Sequence, residues 1–270
     1  MQRDPKSHKG QNGVVGVVGG CKHMHGAPIF AALAAEASGV DLIYPCIPEC
    51  HLEVAKSSSL NFILTPFRGN DLSKADVSAV EDILKKCDAA VIGPGLEAYE
   101  TTQQAAETLM KEANVPLVID AGALQSWTFD ALAGKTAVVT PHVGELGRMQ
   151  GQVLDQKSLD QLQDLVCTIS KTRKITVLLK GPTDLIGGSS GTCSRVEGGN
   201  AGLSVGGTGD ALAGLVAGLM AQKVEPVTAC VMATTIIKRA ATVLFHEKGY
   251  TFTTMDVIGQ IPHLLHTYEM

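Results

Sequence analysis

The hydrophobic positions of this chain fall into short, almost unbroken apolar runs, separated by stretches of helical periodicity. Residues 13–20, Gly-Val-Val-Gly-Val-Val-Gly-Gly, read as a buried strand running into a glycine turn. An alanine-rich helix follows to about Ala37, with Pro28 near its start, where proline is tolerated. Residues 41–45 and 62–64 read as two more short strands, and 74–86 as a helix. A repeating unit then sets in. Residues 89–95, 116–122, 136–142 and 175–181 are each an apolar strand closed by glycine, proline or a polar residue, with helices expected at 99–112 and 158–171. Residues 185–196 read as a hairpin around Gly187-Gly188-Ser189-Ser190-Gly191, and the last third as helices at 211–222, 226–247 and 255–265.

Strands that are apolar on both faces and alternate with helices specify βαβ units and a parallel sheet covered on each side. The expectation is therefore an α/β fold: a mostly parallel central sheet in a three-layer α/β/α arrangement, one domain over residues 1–270. Ligands on such sheets bind at the carboxyl ends of the strands. Gly93, Gly95, Asp120, His142 and Lys180 all fall there.

Composition narrows the classes. With 45% hydrophobic residues the chain can build a sizeable core, and its net charge of −5 with no basic tract argues against a nucleic-acid partner. No apolar run of 18 residues suggests a membrane span, and the polar stretch at residues 1–9, expected to be a flexible N-terminal segment, has no apolar leader, so a cytoplasmic protein is expected. The apolar helices of the last third suggest a homo-oligomer. Seven cysteines at irregular spacing read as reduced thiols; Cys46, Cys50 and His51 lack the paired spacing of a zinc site.

The densest chemical signal is residues 198–210, Gly-Gly-Asn-Ala-Gly-Leu-Ser-Val-Gly-Gly-Thr-Gly-Asp, six of whose thirteen residues are glycine. A glycine-rich loop opening a helix presents backbone N–H groups to an anion, which makes Gly206, Gly207, Thr208 and Gly209 a candidate phosphate loop. Asp210 contradicts that logic unless its carboxylate moves a proton as a general base; its structural alternative is a helix cap. His142 has no evident structural role and is a candidate substrate contact. Glu145, three residues on, suits either a helix first turn or Mg²⁺ held through water. Lys180 suits a phosphate, or else guards a sheet edge. Gly93-Pro94-Gly95 is a tight turn that a ring could approach, and Gly26-Ala27-Pro28 opens the first helix with small residues. No Gly-x-Gly-x-x-Gly follows the first strand and no P-loop lysine motif occurs, which disfavours a dinucleotide dehydrogenase and a P-loop enzyme.

In order, Gly19-Gly20 with Gly26-Ala27-Pro28, Gly93-Pro94-Gly95, Asp120-Ala121, Thr140-Pro141-His142 with Gly144-Glu145, Lys180-Gly181, Gly199-Asn200 with Gly202, and Gly206-Gly207-Thr208-Gly209-Asp210 resemble the ADP/ATP-dependent NAD(P)H-hydrate dehydratases, a branch of the ribokinase-like superfamily. The resemblance spans nearly the full chain. It implies a lyase that repairs hydrated NADH or NADPH with ADP or ATP as co-substrate and Mg²⁺ as cofactor. It implies Asp210 as the base, Ala27, Gly95, His142 and Asp210 as the substrate site, and Lys180, Gly181, Pro182, Thr183 and Asp184 with Gly207, Thr208 and Gly209 as the nucleotide site. The chain departs from the family at Gly122, where many relatives carry an acidic residue, at Ala201, where many carry proline, and in the late helix, which reads Lys238-Arg239-Ala240-Ala241 where many carry a His-Gly pair. Two other readings remain open on the residues: a small-molecule kinase of this fold acting on a hydroxymethyl group of a sugar, thiazole or pyrimidine, and a nucleotide-binding module without catalysis.

Overall fold

A computed structural model describes residues 3–268. The elements run β1 (Val14–Val18), α1 (Gly26–Ala37), β2 (Leu42–Pro48), α2 (Leu52–Ser58), β3 (Thr65–Phe67), α3 (Val77–Leu84), β4 (Ala89–Ile92), α4 (Glu100–Glu112), β5 (Leu117–Ile119), α5 (Thr128–Ala131), β6 (Ala137–Val139), α6 (Val143–Gln150), α7 (Leu159–Arg173), β7 (Thr176–Leu179), β8 (Asp184–Gly187), β9 (Cys193–Val196), α8 (Thr208–Ala221), α9 (Pro226–Lys248) and α10 (Thr254–Tyr268). One nine-stranded sheet has the order β3-β2-β1-β4-β5-β6-β7-β8-β9. It is parallel from β3 through β7; the β8–β9 hairpin extends it antiparallel.

Alternation along the strands divides the core into two layers. Val15, Val17, Val91, Val118 and Val138 point to one face, where α1, α8, α9 and α10 cover them. Val18, Ile92, Ile119, Val139 and Leu179 point to the other, beneath α3, α4, α5, α6 and α7. The expected three-layer α/β fold is therefore what the chain forms. Helix α8 is the most deeply embedded: every residue from Ala211 to Ala221 is buried. It can lie that close to α1 because position 214 is glycine; a Cβ there would collide with the Ala31 backbone. This packing fixes where the N-terminus of α8, and hence the glycine loop, points.

Several expectations need correction. The strand expected at 62–64 forms at Thr65–Phe67 instead, leaving Phe62 with one isolated bridge to Ile43. Strand β2 continues to Pro48, and α2 was not foreseen. Pro226–Thr251 is long and apolar enough to cross a membrane on length and hydropathy, yet most of it is buried inside the chain, as is α8. Much of the apolar surface of the last-third helices therefore packs into the protein's own core. Cys167 on α7 and Cys193 on β9 form a disulfide with Cα atoms 6.0 Å apart, because the hairpin folds back beside α7; the reduced-thiol expectation fails for these two. Of the N-terminal stretch expected at residues 1–9, residues 1 and 2 lie outside the described residues. From Asp4 it forms turns, and Asp41 accepts the backbone N–H of Gly10 at 2.8 Å.

Candidate active site

The ends of β4, β5, β6 and β7 lie side by side in the sheet, and each delivers a polar or glycine-rich corner. Asp120 follows β5 and is 1% exposed. A carboxylate so buried requires partners, and it has two: its Oδ1 accepts from the Thr140 hydroxyl at 2.8 Å and from Lys180 Nζ at 2.7 Å. Thr140 follows β6 and Lys180 follows β7, whose N–H donates to the Pro141 carbonyl at 2.8 Å. Three neighbouring strands are therefore joined by one buried network. Burial alone would pull the Lys180 ammonium down, but Asp120 and then Glu145 outweigh it and hold its pKa above the usual lysine value. The edge-guarding role considered for Lys180 does not fit a buried cation in the sheet interior.

Gly209 lies over this lysine. A Cβ at position 209 would sit 3.2 Å from Lys180 Nζ, so the glycine lets the ammonium reach the start of α8. The N-cap of α8 is Gly207, in the left-handed region at φ 97°, and no side chain caps the helix. Asp210 is thus inside the first turn and is not the cap. The Thr208 hydroxyl is turned back to the Leu203 and Val205 carbonyls, at 2.7 and 3.2 Å, so Thr208 offers the site its backbone N–H. Burial pushes the Asp210 carboxyl up to about 7, with the nearby Asp120 charge adding to the rise and Lys180 opposing it.

His142 and Glu145 close the network from α6. His142 does have a structural role, contrary to expectation: it is the N-cap of α6, its Nδ1 accepting from the Gly144 N–H at 3.0 Å, while Glu145 Oε2 accepts the His142 N–H at 2.8 Å. This capping box spends one ring nitrogen. The side chain remains 58% exposed and its Nε2 lies 3.6 Å from Glu145 Oε1. Glu145 Oε2 also stands 4.0 Å from Lys180 Nζ. With Asp120 and Glu145 both facing that ammonium, the carboxylates here are not arranged to enclose a metal directly, and no cluster of three His, Cys, Asp or Glu occurs among the described residues. A cation bound here would be held mainly by other ligands.

Beside Lys180 opens a cavity of about 600 Å³, large enough for a nucleotide. One wall is Lys180, Gly181, Pro182 and Asp184; another is the glycine loop with Thr208 and Gly209. Thr183, Gly206 and Gly207 lie outside this lining. Burial raises the Asp184 carboxyl, against the pull of the Gly181 N–H and Lys238. Away from the cavity, Gly95 (φ 71°) and Ala27 meet: a Cβ at 95 would lie 3.3 Å from that of Ala27 and 3.1 Å from the Met24 carbonyl. Ala27 and Gly95 thus form one small-residue corner after β4, and His142 stands at the end of β6 with one strand between. The residues given no role from sequence are Asp120, Thr140 and Lys238. An aspartate closing an apolar strand was a visible signal for the first; nothing local marked the other two.

This nine-stranded, mostly parallel sheet covered by helices is a fold shared with solved structures. The chain superposes on a ribokinase-like superfamily protein from Enterococcus faecalis with a TM-score of 0.84, at 24% identity over 99% of this chain and 92% of that one. With the ADP/ATP-dependent NAD(P)H-hydrate dehydratase from Bacillus subtilis, co-crystallised with ATP/Mg²⁺, the TM-score is 0.82 at 24% identity, over 99% and 94% of the two chains. Sequence is more discriminating. The ADP-dependent (S)-NAD(P)H-hydrate dehydratase of Nitrosopumilus maritimus is 38% identical over 99% of this chain and 93% of its own, and that of Cenarchaeum symbiosum 32% over 97% and 92%. The profile of the NAD(P)H-hydrate dehydratase family matches residues 15–263, and the chain belongs to that family.

Proposed function

We propose that this chain is a nucleotide-dependent hydro-lyase that restores NADH or NADPH from the S form of the hydrated cofactor. ADP is the favoured co-substrate, in keeping with the names of the Nitrosopumilus maritimus and Cenarchaeum symbiosum relatives. The observation that carries the reading is Asp210: a carboxylate raised to about 7 beside the Lys180 ammonium, at the start of the glycine-loop helix, in a chain of this family. A base poised near neutral pH removes a proton from an alcohol more effectively than one at an ordinary carboxylate value.

In the mechanism this supports, the hydrated cofactor occupies the corner of Ala27 and Gly95 with His142 across from it, and the nucleotide fills the cavity between the β7–β8 turn and the glycine loop. Asp210 takes the proton of the ring hydroxyl as its oxygen receives the terminal phosphoryl group of the nucleotide. The ring nitrogen lone pair then expels phosphate, and loss of a proton from the adjacent ring carbon restores the dihydropyridine. Phosphate leaves far more readily than hydroxide, which is why the nucleotide is consumed. The N–H groups of Thr208 and Gly209 and the Lys180 ammonium stabilise the transferring charge without moving, the main form of catalysis open to a phosphoryl-transfer site. Magnesium would neutralise further charge, and Glu145 is the carboxylate that would hold it, through water.

The test is to supply hydrated NADH with ADP or ATP. Recovery of the reduced-nicotinamide absorbance together with one phosphate per turnover supports the proposal. Accumulation of a stable phosphorylated alcohol from a hydroxymethyl substrate, with no recovery of NADH, would assign the site to a kinase instead.

A further inference from the structure

Helix α9 carries one charged residue in an apolar setting, Lys238, which is 6% exposed and lines the cavity. A lysine in a nucleotide pocket invites the reading of a phosphate ligand. The geometry gives it a different task. Its Nζ donates to the Pro182 carbonyl at 2.8 Å, the Gly181 carbonyl at 3.3 Å and the Gly198 carbonyl at 3.4 Å, and lies 3.5 Å from Asp184 Oδ2. An ammonium has three hydrogens, and four acceptors already share them. None is left for a phosphate, whereas Lys180 Nζ stands at the start of α8 beside Gly209.

The four acceptors come from two separate segments that line the cavity. Gly181 and Pro182 belong to the turn between β7 and β8, and Asp184 is the first residue of β8; Gly198 begins the glycine loop. Asp184 is bound into the same turn, its Oδ1 accepting the Gly181 N–H at 2.7 Å. Three residues further along α9, on the same helix face, the Ala241 carbonyl accepts from Asn200 Nδ2 at 2.8 Å, and Asn200 Oδ1 accepts the Gly202 N–H at 2.9 Å. The glycine loop, which has little side-chain packing to define it, is thus tied to α9 at two points, and Lys238 alone also reaches the facing wall.

We propose that Lys238 and Asp184 form an internal latch that fixes the separation and orientation of the two walls of the nucleotide cavity, so that Lys238 is a positioning residue for the nucleotide and not a ligand of it. The inference rests on the reading of this cavity as the nucleotide site. A binding wall held in place beforehand loses less conformational entropy when ligand arrives. The latch acts on the nucleotide alone, since none of its atoms belongs to the Ala27–Gly95 corner.

Two variants test it. Lys238→Met combined with Asp184→Asn removes the latch without leaving a buried unpaired charge. Gly199→Ala leaves both latch residues in place but drives a Cβ to 3.2 Å from Lys238 Cγ and 3.0 Å from Leu203, at φ 72°, displacing the loop from α9. Titration calorimetry with ADP and with ATP, alongside titration with hydrated NADH and thermal melting, gives the readout. Both variants are expected to bind ADP and ATP about tenfold more weakly, the scale of lost preorganisation, while hydrated NADH binds as in the wild type. Should the double variant fail to fold, Gly199→Ala decides alone. Wild-type affinity for nucleotide in the folded variants overturns the latch, as does equal weakening of nucleotide and hydrated NADH. A wild-type protein that binds neither ADP nor ATP would instead overturn the reading of the cavity itself.

Discussion

Replacing Asp210 with asparagine should separate catalysis from stability. A carboxyl moved from its ordinary 3.8 to about 7 carries about 4 kcal/mol of unfavourable ionisation in the folded protein, at roughly 1.36 kcal/mol per pH unit. Asp210 is only half-buried, and contact with water reduces this to about 2 kcal/mol. The sign follows from the proton count. Below pH 3.8 both folded and unfolded chains hold the proton and no difference arises. Between there and about pH 7 the folded protein keeps a proton that the unfolded chain has released, so the stability this group contributes is lost as pH rises through that window. Asparagine has no such proton. The variant should therefore melt above the wild type at pH 8 by about 5 °C, given some 2–4 °C per kcal/mol for a chain of this size, and the gap should shrink steadily towards pH 5. Its turnover should fall by a factor of roughly 10²–10⁴ with nucleotide affinity retained. Melting curves of both proteins at pH 5, 6, 7 and 8, without nucleotide, measure the first effect. A gap that stays constant across this range, or a variant that melts below the wild type at pH 8, would show that Asp210 is not a strained, near-neutral carboxylate, and retained turnover would remove it as the base.

Further outcomes follow from the same geometry. The wild-type rate at limiting hydrated NADH should fall about tenfold per pH unit below about pH 7 as Asp210 takes up its proton; a flat profile from pH 5.5 to 8 contradicts the assignment. Lys180→Met leaves the buried Asp120 without its cation and should cost about 3–5 kcal/mol in urea unfolding, and the addition of Asp120→Asn should restore most of that stability but not the activity. Gly95→Ala crowds the Met24 carbonyl and Ala27 at a positive φ, so KM for hydrated NADH should rise while KM for ADP holds; steady-state kinetics with each substrate varied distinguishes this from a general loss of fold. His142→Ala removes the α6 cap, worth about 1 kcal/mol, and should weaken hydrated-cofactor binding without altering nucleotide affinity; a titration with the opposite preference would move His142 to the other site.

Local pattern made the layers and the glycine loop legible. Runs such as 14–18 and 89–92 have no polar face, and a strand with no polar face has to be covered on both sides. A stretch with six glycines in thirteen residues before an apolar helix likewise announces backbone chemistry, and Asp210 stood out because a carboxylate conflicts with an anion site. Short range also explains the failures. The strand at 65–67 starts with Thr-Pro, weaker in β-preference than the Phe-Ile-Leu run just before it, and wins only because it pairs with β2 at Cys46–Pro48. His142 looked free of structural duty because capping depends on the backbone path through residues 142–145.

The remainder was decided in three dimensions. The charge network of Asp120, Thr140 and Lys180 joins residues 20 and 60 positions from Asp120, through strand order alone. Lys238 reaches carbonyls 40 to 57 positions away, and the Cys167–Cys193 pair depends on the hairpin closing beside α7. The sequence by itself determined a covered parallel sheet, a glycine-rich loop opening a helix and a carboxylate at its end, since periodicity, backbone freedom and charge are properties of consecutive residues. Only the tertiary structure decided how proton-hungry that carboxylate is and which lysine stands beside it, because both depend on burial and on charges brought together from distant parts of the chain.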